Sequence, residues 1–334
     1  MAESEHAMIA RLLAPLSDGL PGAYGLTDDA AALRPPAGCE FVVTMDTLID
    51  GVHFRFDGTP PSAAMAARKA LAVNVSDLAA KGAEPFAYLL SLALPAGHGD
   101  WLDGFVSGLA SAQDDFGLQL AGGDTVRTTG AFAVTITAFG SVPTGRMISR
   151  SGACPGDILM VSGTIGDAFA GLTLDRGDCQ ALEWSGHLDD SDRKSLLSRN
   201  RTPTPRIQLI PALRQFATAS LDVSDGLAID ASRLAAASGV GIEIDASTIP
   251  LSAACVTLRT AGKLRLEQLI TGGDDYEVLA TLATGSEAGF VEAATQAGVR
   301  VTRIGRVVAG TGLAVCESAG KLMQLDRLGW DHLS

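Results

Sequence analysis

The hydrophobic positions of this chain follow two spacings that alternate from one end to the other. Apolar residues recur at helical intervals over residues 4–16, whereas the short β-branched run at 41–45 is typical of a strand. In the first half, the pattern predicts strands at 41–45, 87–94 and 131–142 and helices at 4–16, 60–82 and 101–116. This alternation indicates the α/β class.

A stretch rich in Gly, Ser, Arg and Pro at residues 143–156 marks a domain boundary. We therefore expect an N-terminal domain over residues 1–145 and a C-terminal domain over residues 146–334. The second half predicts strands at 157–161, 219–223, 241–244, 278–282 and 304–308, and helices at 168–174, 205–216, 227–238 and 286–297. Pro211 predicts a kink in the helix 205–216.

The predicted helix 60–82 is almost entirely apolar in its second half, except at Asn74, Ser76 and Asp77. An unpaired carboxylate buried there would be costly, so Asp77 must face solvent, pair with a cation or bind a metal. An ion pair with Lys81 is the simplest alternative to a metal site. We favour the metal because other acids occur in similar settings, and we expect Asn74 and Ser76 to support it.

Composition limits the classes of partner. With 334 residues, 47% apolar and 19% charged, the chain is globular and long enough for two domains. Its formal net charge of −13 argues against nucleic acid, which selects surfaces rich in Lys and Arg. A small phosphorylated ligand is still compatible with an acidic site, because divalent metal ions can bridge the two.

Cysteine usage and hydropathy predict a cytoplasmic protein without a membrane partner. The five cysteines are widely spaced and form no C-x-x-C pair, which argues against disulfides and structural zinc. The N-terminus is acidic and lacks the pattern of a signal peptide. The longest apolar run, at 86–96, is too short to cross a membrane.

Acids beside Gly, Ser or Thr recur where predicted strands end. These residues are Asp28, Asp29, Thr44, Asp46, Asp77, Asp124, Asp222, Ser224 and Asp225. Strands hold functional side chains rigidly at such junctions. An excess of hard oxygen ligands favours Mg²⁺, Mn²⁺ or Ca²⁺, and the five histidines lack the spacing of a zinc site. The pattern therefore predicts a site for divalent metal ions.

Two further features favour phosphate chemistry. The motif Ser162-Gly-Thr-Ile-Gly-Asp167 would present backbone N–H groups to an anion at a helix start, or would be only a tight turn. Arg150 could face a phosphate or form a surface ion pair. The sequence lacks the Walker A motif, the protein-kinase motifs and the G-x-S-x-G motif. We therefore assign no catalytic nucleophile.

Short motifs in a fixed order run through nearly the whole chain. They are Asp28-Asp-Ala-Ala31, Thr44-Met-Asp-Thr-Leu48, Gly51-Val-His-Phe54, the segment 69–85, Gly122-Gly-Asp-Thr125, Gly145-Arg-Met-Ile-Ser-Arg-Ser-Gly152, Gly163-Thr-Ile-Gly-Asp167, Pro203-Thr-Pro-Arg206, Asp222-Val-Ser-Asp-Gly-Leu227, Gly272-Gly-Asp-Asp-Tyr-Glu277 and Gly329-Trp-Asp-His332. Together they resemble the thiamine-monophosphate kinase family of the aminoimidazole ribonucleotide synthetase-like superfamily. The resemblance implies an α/β (α+β) fold of two domains. The N-terminal domain would bind ATP and metal and pair its sheet across a homodimer, and the C-terminal domain would be α/β.

The resemblance also implies roles for single residues. Metal ligands match at Asp29, Thr44, Met45, Asp46, Asp77, Asp124, Asp222 and Asp225. ATP contacts match at Gly123, Asp124, Arg150 and Ser224. Contacts to thiamine monophosphate match at His53, Asp274 and Trp330. Met45 stands where the family often has a hydroxyl residue, so a metal contact there would come from its backbone.

The implied activity is that of a kinase in thiamine biosynthesis, which phosphorylates thiamine monophosphate to thiamine diphosphate with ATP as co-substrate. The reaction would be a direct in-line transfer assisted by several Mg²⁺ ions. Rivals within the fold are aminoimidazole ribonucleotide synthetase, selenophosphate synthetase and the hydrogenase-maturation dehydratase. The last two need a reactive cysteine near one terminus, where this chain has none in the right context. A non-catalytic protein that binds nucleotide or metal is the alternative outside the enzymes.

Overall fold

The computed structural model describes residues 4–96, 99–177, 179–184, 186–317 and 321–330. The chain forms two compact units. The first comprises Met1–Ala79 and Ala83–Met147, and the second comprises Ala80–Gly82 and Ile148–Ser334. The change of unit after Met147 lies inside the stretch 143–156. No helix in the described ranges is both long and apolar enough to cross a membrane.

The N-terminal unit is built on a four-stranded sheet. Its strands are β1 (Cys39–Ile49), β2 (Glu84–Leu94), β3 (Gln119–Arg127) and β4 (Ala133–Pro143), and its helices are α1 (Glu5–Met8), α2 (Pro60–Ala80) and α3 (Gly99–Phe116). The strand order is β1-β4-β2-β3, with β4 antiparallel to both of its neighbours and β3 parallel to β2. Strands β1 and β3 therefore form the two edges.

The predicted helix at 4–16 is only partly α-helical. After α1 the chain continues as a π-helical turn at Ile9–Leu13 and a 3₁₀ turn at Ala14–Ser17. Pro15 explains the change, because it has no N–H for an α-helical hydrogen bond. A second 3₁₀ segment follows at Pro21–Leu26.

Helices α2 and α3 pack closely because α3 carries glycines where they meet. A Cβ atom on Gly104 would lie 2.6 Å from the Cα of Pro60, and one on Gly108 would lie 2.5 Å from the carbonyl oxygen of Ala64. Side chains of α2 such as Leu71 are fully buried. The apolar pattern that predicted α2 thus reflects burial on nearly all sides.

The two faces of the N-terminal sheet differ in exposure. On one face, Val134 and Ile136 of β4 are fully buried. On the other, Val43 and Met45 of β1 are 54% and 64% exposed, and Val126 of β3 is 47% exposed. Several large apolar side chains therefore lie on one open face of this sheet.

The C-terminal unit is built on a six-stranded sheet in the order β10-β7-β9-β5-β8-β6. Its strands are β5 (Ile158–Ser162), β6 (Ala217–Val223), β7 (Gly241–Asp245), β8 (Glu277–Leu282), β9 (Val301–Val308) and β10 (Gly312–Cys316). Its helices are α4 (Asp167–Arg176), α5 (Cys179–Trp184), α6 (Asp190–Arg201), α7 (Ile210–Phe216), α8 (Leu227–Ser238), α9 (Ala253–Thr260), α10 (Leu266–Ile270) and α11 (Glu287–Gln296). Strand β10 is parallel to β7, and the other pairs are antiparallel.

Both faces of this second sheet are covered. Leu227 and Leu234 of α8 pack with one face, and Leu213 of α7 and Phe290 of α11 pack with the other. All six residues of β8 are buried, as expected of a strand between two helical layers.

Three elements differ from the sequence-based expectation. Helices α9 and α10 and strand β10 were not predicted, because each is short and lacks a clear period. Pro211 lies in the first turn of α7, where its missing N–H is not needed and no kink follows. The predicted helix 205–216 is instead a 3₁₀ turn at Ile207–Leu209 followed by α7.

The motif that contains Gly122, Gly123 and Asp124 lies inside a strand and not at a strand end, which corrects the prediction for Asp124. Gly122, Gly123 and Asp124 lie inside β3, beside a bulge between Tyr88 and Leu89 of β2. A Cβ atom on Gly123 would lie 1.9 Å from the carbonyl oxygen of Leu90. A glycine is therefore needed because the two backbones approach closely at the irregular register.

Candidate functional site

Asp77 of α2 faces the side of β1 that carries Thr44 and Asp46. The Thr44 hydroxyl donates a hydrogen bond to Asp77 Oδ2 at 2.5 Å. Thr44 and Asp46 share one face because side chains alternate along a strand, and their partners on β4, Ala138 and Ile136, are buried on that face. Asp77 itself is half-buried. Hydroxyl and carboxylate oxygens, which Mg²⁺ prefers, are thus gathered on this face.

The other predicted N-terminal ligands lie apart from Thr44 and Asp77. Met45 points to the opposite, exposed face of β1. Asp124 pairs with Ser91 in the row that contains Thr135 and Thr47 of the same exposed face. Asp29 lies in the exposed segment before β1, where its N–H donates to Asp28 Oδ1 at 2.8 Å.

The N-terminal acids therefore do not sit at strand ends as predicted. Asp46 and Asp124 lie within strands, and Asp77 lies within a helix. Among the residues that the structure describes, no group of three or more His, Cys, Asp or Glu side chains forms an arrangement that could hold a metal ion. The metal cluster implied by the resemblance stays a prediction. The hydroxyl oxygen of Thr44 and the carboxylate oxygens of Asp77 are of the chemical type that such a cluster needs.

Lys81, the alternative partner of Asp77, donates a hydrogen bond from Nζ to the carbonyl oxygen of Ser220 at 2.5 Å. Asn74 donates from Nδ2 to the carbonyl of Ala70 at 2.9 Å. Its buried Oδ1 has no hydrogen-bond partner among the described residues. Asn74 thus bonds along its own helix, and its predicted supporting role stays a prediction.

His53 lies in the turn after β1 and is held from two sides. Its Nδ1 accepts the N–H of Ile49 at 3.0 Å, and its carbonyl oxygen accepts Lys69 Nζ at 2.9 Å. Lys69 is only 1% exposed. Because Nδ1 accepts a hydrogen bond, the neutral His53 ring carries its proton on Nε2.

The end of β6 gathers several predicted residues around one turn. The N–H groups of Ser224 and Asp225 each donate to Asp230 Oδ2 at 3.1 Å. The carbonyl oxygen of Ser224 accepts the N–H of Asp274 at 2.6 Å, and that of Asp225 accepts the N–H of Trp330 at 2.9 Å. An ATP contact, a metal ligand and two substrate contacts implied by the resemblance are therefore neighbours. Asp222 is buried in the same strand.

Two residues that sequence reasoning missed support this turn. Arg233 donates from Nη1 to Asp225 Oδ2 at 2.5 Å and to Asp230 Oδ1 at 2.8 Å. Burial, and then the charge of Asp225, raise the pKa of Asp230 to about 6. The helical spacing of Asp230 and Arg233 was the available signal, since residues three apart share a helix face.

Asp274 has an unusual backbone conformation. It has φ +65°, and Tyr276 has φ +50°, in the left-handed region that favours glycine. The Asp274 carboxylate accepts Asn200 Nδ2 at 3.3 Å on Oδ2 and the Tyr276 hydroxyl at 3.1 Å on Oδ1. Strained backbone of this kind often occurs at functional sites.

The Gly-rich turn before α4 does not offer an open anion site. The N–H groups of Gly166 and Ala168 donate to Asp275 at 2.8 and 3.4 Å. Those of Gly163 and Ile165 donate to the carbonyls of Arg300 and Pro250. The alternative reading of a tight structural turn is therefore correct, because the chain supplies its own carboxylate at the helix start.

An acid–arginine cluster lies beneath this turn, formed by Asp167, Asp275, Glu277, Arg199 and Arg206. Glu277 is fully buried and accepts Arg199 Nη2 at 2.7 Å and Arg206 Nε at 2.6 Å. Burial raises the pKa of Asp275 well above its usual range, although Arg199 opposes this. Three carboxylates therefore share this cluster with two guanidinium groups.

Replacing Asp275 by asparagine is expected to stabilise the protein increasingly as the pH rises above about 4. The unfolded Asp275 ionises near its ordinary pKa, whereas the folded one keeps its proton to higher pH. The wild type therefore loses stability through that window, and the variant does not. Urea unfolding over a pH series measures the difference.

Asp245→Asn is the control with opposite sign. Hydrogen bonds from Ser247 lower the pKa of the exposed Asp245, so the wild type gains stability relative to this variant as the pH rises. A difference between Asp275→Asn and wild type that stays constant with pH would show that folding does not shift the pKa of Asp275.

The remaining predicted residues either are exposed or occupy a position that the packing of the strands explains. Arg150 is exposed, and its carbonyl oxygen accepts the Ser238 hydroxyl at 3.1 Å. Trp330 is 38% exposed. Gly123 is explained by the close approach of β2 and β3. His332, from the last motif, lies outside the described residues.

Comparisons with known proteins cover nearly the whole chain. Residues 27–142 match the family described as AIR synthase related protein, N-terminal domain, and residues 154–316 match its C-terminal domain. The chain is 41% identical to the thiamine-monophosphate kinase of Caulobacter vibrioides, over 98% of this chain and 91% of that protein.

Solved structures give the same picture. The thiamine-monophosphate kinase from Stenotrophomonas maltophilia K279a is 38% identical and superposes with a TM-score of 0.83, covering 97% of this chain and 99% of that one. A second structure, described as "AaThiL complexed with AMPPCP and TMP", is 31% identical with a TM-score of 0.75, covering 99% of both chains.

Proposed function

Because the chain belongs to the thiamine-monophosphate kinase family, we propose that it catalyses the ATP-dependent phosphorylation of thiamine monophosphate to thiamine diphosphate. The family resemblance and the two-domain α/β fold inferred from the sequence motifs are confirmed. The observation in this chain that supports the proposal is the arrangement of the turn after β6, at Ser224 and Asp225. Residues matching the family's nucleotide, metal and substrate contacts meet there through hydrogen bonds to Ser224 and Asp225.

The experiment is a coupled assay of ADP release with thiamine monophosphate as the varied substrate. We expect ADP only when both ATP and thiamine monophosphate are present, and no ADP with unphosphorylated thiamine. Equal ADP release with and without thiamine monophosphate would contradict the proposal. ATP binding without any turnover would instead favour a non-catalytic nucleotide-binding protein.

Mg²⁺ ions would be held by the oxygen-bearing residues matched to the family. These are Asp29, Thr44, Asp46, Asp77, Asp124, Asp222 and Asp225, together with the backbone of Met45. When bound, the metal would neutralise and orient the phosphates, whose charges otherwise repel one another. The hard oxygen donors at Thr44 and Asp77 fit this cation.

The chain itself needs no nucleophile for this reaction. The attacking atom is a phosphate oxygen of thiamine monophosphate, which is already ionised near neutral pH. The protein therefore positions two anionic reactants for direct in-line transfer, and its contribution is orientation and electrostatic stabilisation. Gly123, Asp124, Arg150 and Ser224 would contact ATP.

Three residues would bind thiamine monophosphate. The half-exposed ring of Trp330 and the carboxylate of Asp274 suit the cationic ring system of thiamine. His53, whose Nδ1 already accepts a hydrogen bond, would present an Nε2–H donor to an acceptor on the substrate. These are contacts of orientation, and none of them transfers the phosphoryl group.

A homodimer that covers the exposed face of the N-terminal sheet is part of the proposal. The apolar side chains on that face, Val43, Met45 and Val126, support it. The free cysteines at Cys39, Cys154, Cys179, Cys255 and Cys316 support a location in the reducing cytoplasm.

Val43→Glu is expected to convert the dimer to a monomer in sedimentation analysis, because it places a charge in the centre of an apolar interface. Val256→Glu is the matched control. Val256 is 48% exposed on α9, against 54% for Val43, and its substitution should leave the mass unchanged. A dimer that survives Val43→Glu would place the interface elsewhere.

A further inference from the structure

We infer that Asn200 and Tyr276 are positioning residues that hold the carboxylate of Asp274 toward the cationic ring of the substrate. The inference rests on the proposed function, because it takes Asp274 as a substrate contact. Each oxygen of Asp274 accepts one hydrogen bond: Oδ2 from Asn200 Nδ2 at 3.3 Å, and Oδ1 from the Tyr276 hydroxyl at 3.1 Å. Two donors on different oxygens fix the plane of the carboxylate.

The burial of the three groups indicates a direction. Asn200 is 4% exposed and Tyr276 is 9% exposed, whereas Asp274 is only half-buried. The two donors are therefore more deeply buried than Asp274 and support its carboxylate from the interior of the unit. A ligand that reaches Asp274 therefore contacts a carboxylate that Asn200 and Tyr276 have already oriented.

The chemistry of the donors is also informative. An amide and a phenol are neutral, so they orient Asp274 without cancelling its charge. Asp225, by contrast, is bound by the Arg233 guanidinium, and Glu277 is bound by Arg199 and Arg206. These two donors add no positive charge beside Asp274, so they do not themselves compete with a cationic ligand, which is the chemical class of a thiazolium ring.

The backbone gives a second and independent observation. Asp274 and Tyr276 both have positive φ, and this strained conformation is held by hydrogen bonds from their N–H groups to Ser224 and Val223 at 2.6 and 2.8 Å. Residues keep such a conformation only when their surroundings impose it. The conformation brings the Tyr276 hydroxyl within hydrogen-bonding distance of a carboxylate two residues earlier.

Helix α6 fixes Asn200 in place. At the neighbouring position, Arg199 donates from Nη2 to the carbonyl of Asp275 and to Glu277 Oε1. Gly171 of α4 allows the close approach of α6, because a Cβ atom there would lie 2.0 Å from the carbonyl oxygen of Leu196. The end of α6 and the segment 274–277 therefore form one support for Asp274.

The test measures steady-state kinetics and, by calorimetry, the binding of thiamine monophosphate to the full chain. Tyr276→Phe removes one oxygen atom, and Asn200→Ala removes the other donor. Each should raise KM and Kd for thiamine monophosphate about 10- to 150-fold, the range for losing a hydrogen bond to a charged group. KM for ATP and kcat should stay near the wild-type values.

Two controls separate positioning from general damage. Tyr88→Phe removes another buried hydroxyl, which donates to Gln113 at 2.7 Å in the N-terminal unit, and it should leave KM for thiamine monophosphate unchanged. In an Asp274→Asn background, Tyr276→Phe should have no further effect, because it acts through Asp274. If Asn200→Ala does not fold, Tyr276→Phe decides alone.

The inference is overturned if Tyr276→Phe leaves KM and Kd for thiamine monophosphate unchanged. It is also overturned if the effect of Tyr276→Phe persists in Asp274→Asn, or if KM for ATP rises equally. A wild type that binds thiamine monophosphate but releases no ADP would refute the proposed function, while the calorimetric comparison would still test the role of Asn200 and Tyr276.

Discussion

Asp77→Asn is expected to lower kcat about 100- to 1,000-fold while the protein stays folded. The proposed reaction joins two anions, so its transition state depends on the cations that Asp77 would help to hold. Asparagine keeps the size of the side chain and an oxygen that can accept the Thr44 hydroxyl, so local packing should survive. Turnover at saturating Mg²⁺ and a thermal unfolding curve measure the two effects.

Asp115→Asn is the control for the loss of one negative charge. Asp115 is 53% exposed and pairs with Arg68 at the surface, so its removal should leave kcat within about twofold of wild type. Binding of Mn²⁺, followed by its paramagnetic resonance signal, should weaken in Asp77→Asn and not in Asp115→Asn. Wild-type turnover in Asp77→Asn at saturating Mg²⁺ would exclude a metal role for Asp77.

Local sequence patterns were sufficient for the elements whose burial is regular. Helix α2 was predicted over 60–82 and occupies Pro60–Ala80, because prolines and a glycine mark its ends and its apolar residues are buried on nearly all sides. The extent of β1 was predicted less well. The strand was predicted over 41–45, but it continues through Asp46 to Ile49. Alternating exposed and half-buried residues there give no long apolar run.

Several supports of the candidate site depend on contacts between distant residues, which no local pattern contains. The turn before α4 resembled a phosphate site because its glycines and helix start are typical of one. Its anion is Asp275, more than a hundred residues later in the chain. Asn200 likewise meets Asp274, which lies 74 residues later in the chain. Matching the motifs to a family identifies the contact residues. The more distant groups that orient those residues are found only from the tertiary structure.

Glu277→Ala is expected to lower the free energy of unfolding by about 3–5 kcal/mol, the cost of removing one partner from a buried ion pair. Glu277 is fully buried between Arg199 and Arg206, whose side chains are 17% and 19% exposed. Its loss leaves two guanidinium groups without their carboxylate. The hydroxyl of Ser162, which donates to Glu277 at 2.5 Å, loses an acceptor as well. Urea unfolding followed by far-UV circular dichroism measures the change.

Glu243→Ala is the matched control, because Glu243 pairs with Arg306 at the surface, where the side chains are 37% and 64% exposed. That pair should contribute at most about 1 kcal/mol. A loss in Glu277→Ala no larger than in Glu243→Ala would mean that water reaches Arg199 and Arg206 and replaces the carboxylate. If the ion pairs are dry, Glu277→Leu combined with Arg206→Leu should recover part of the loss, since an apolar pair of similar volume leaves one less buried charge unpaired. The comparison therefore shows whether the ion pairs of Glu277 with the two arginines are solvated or dry.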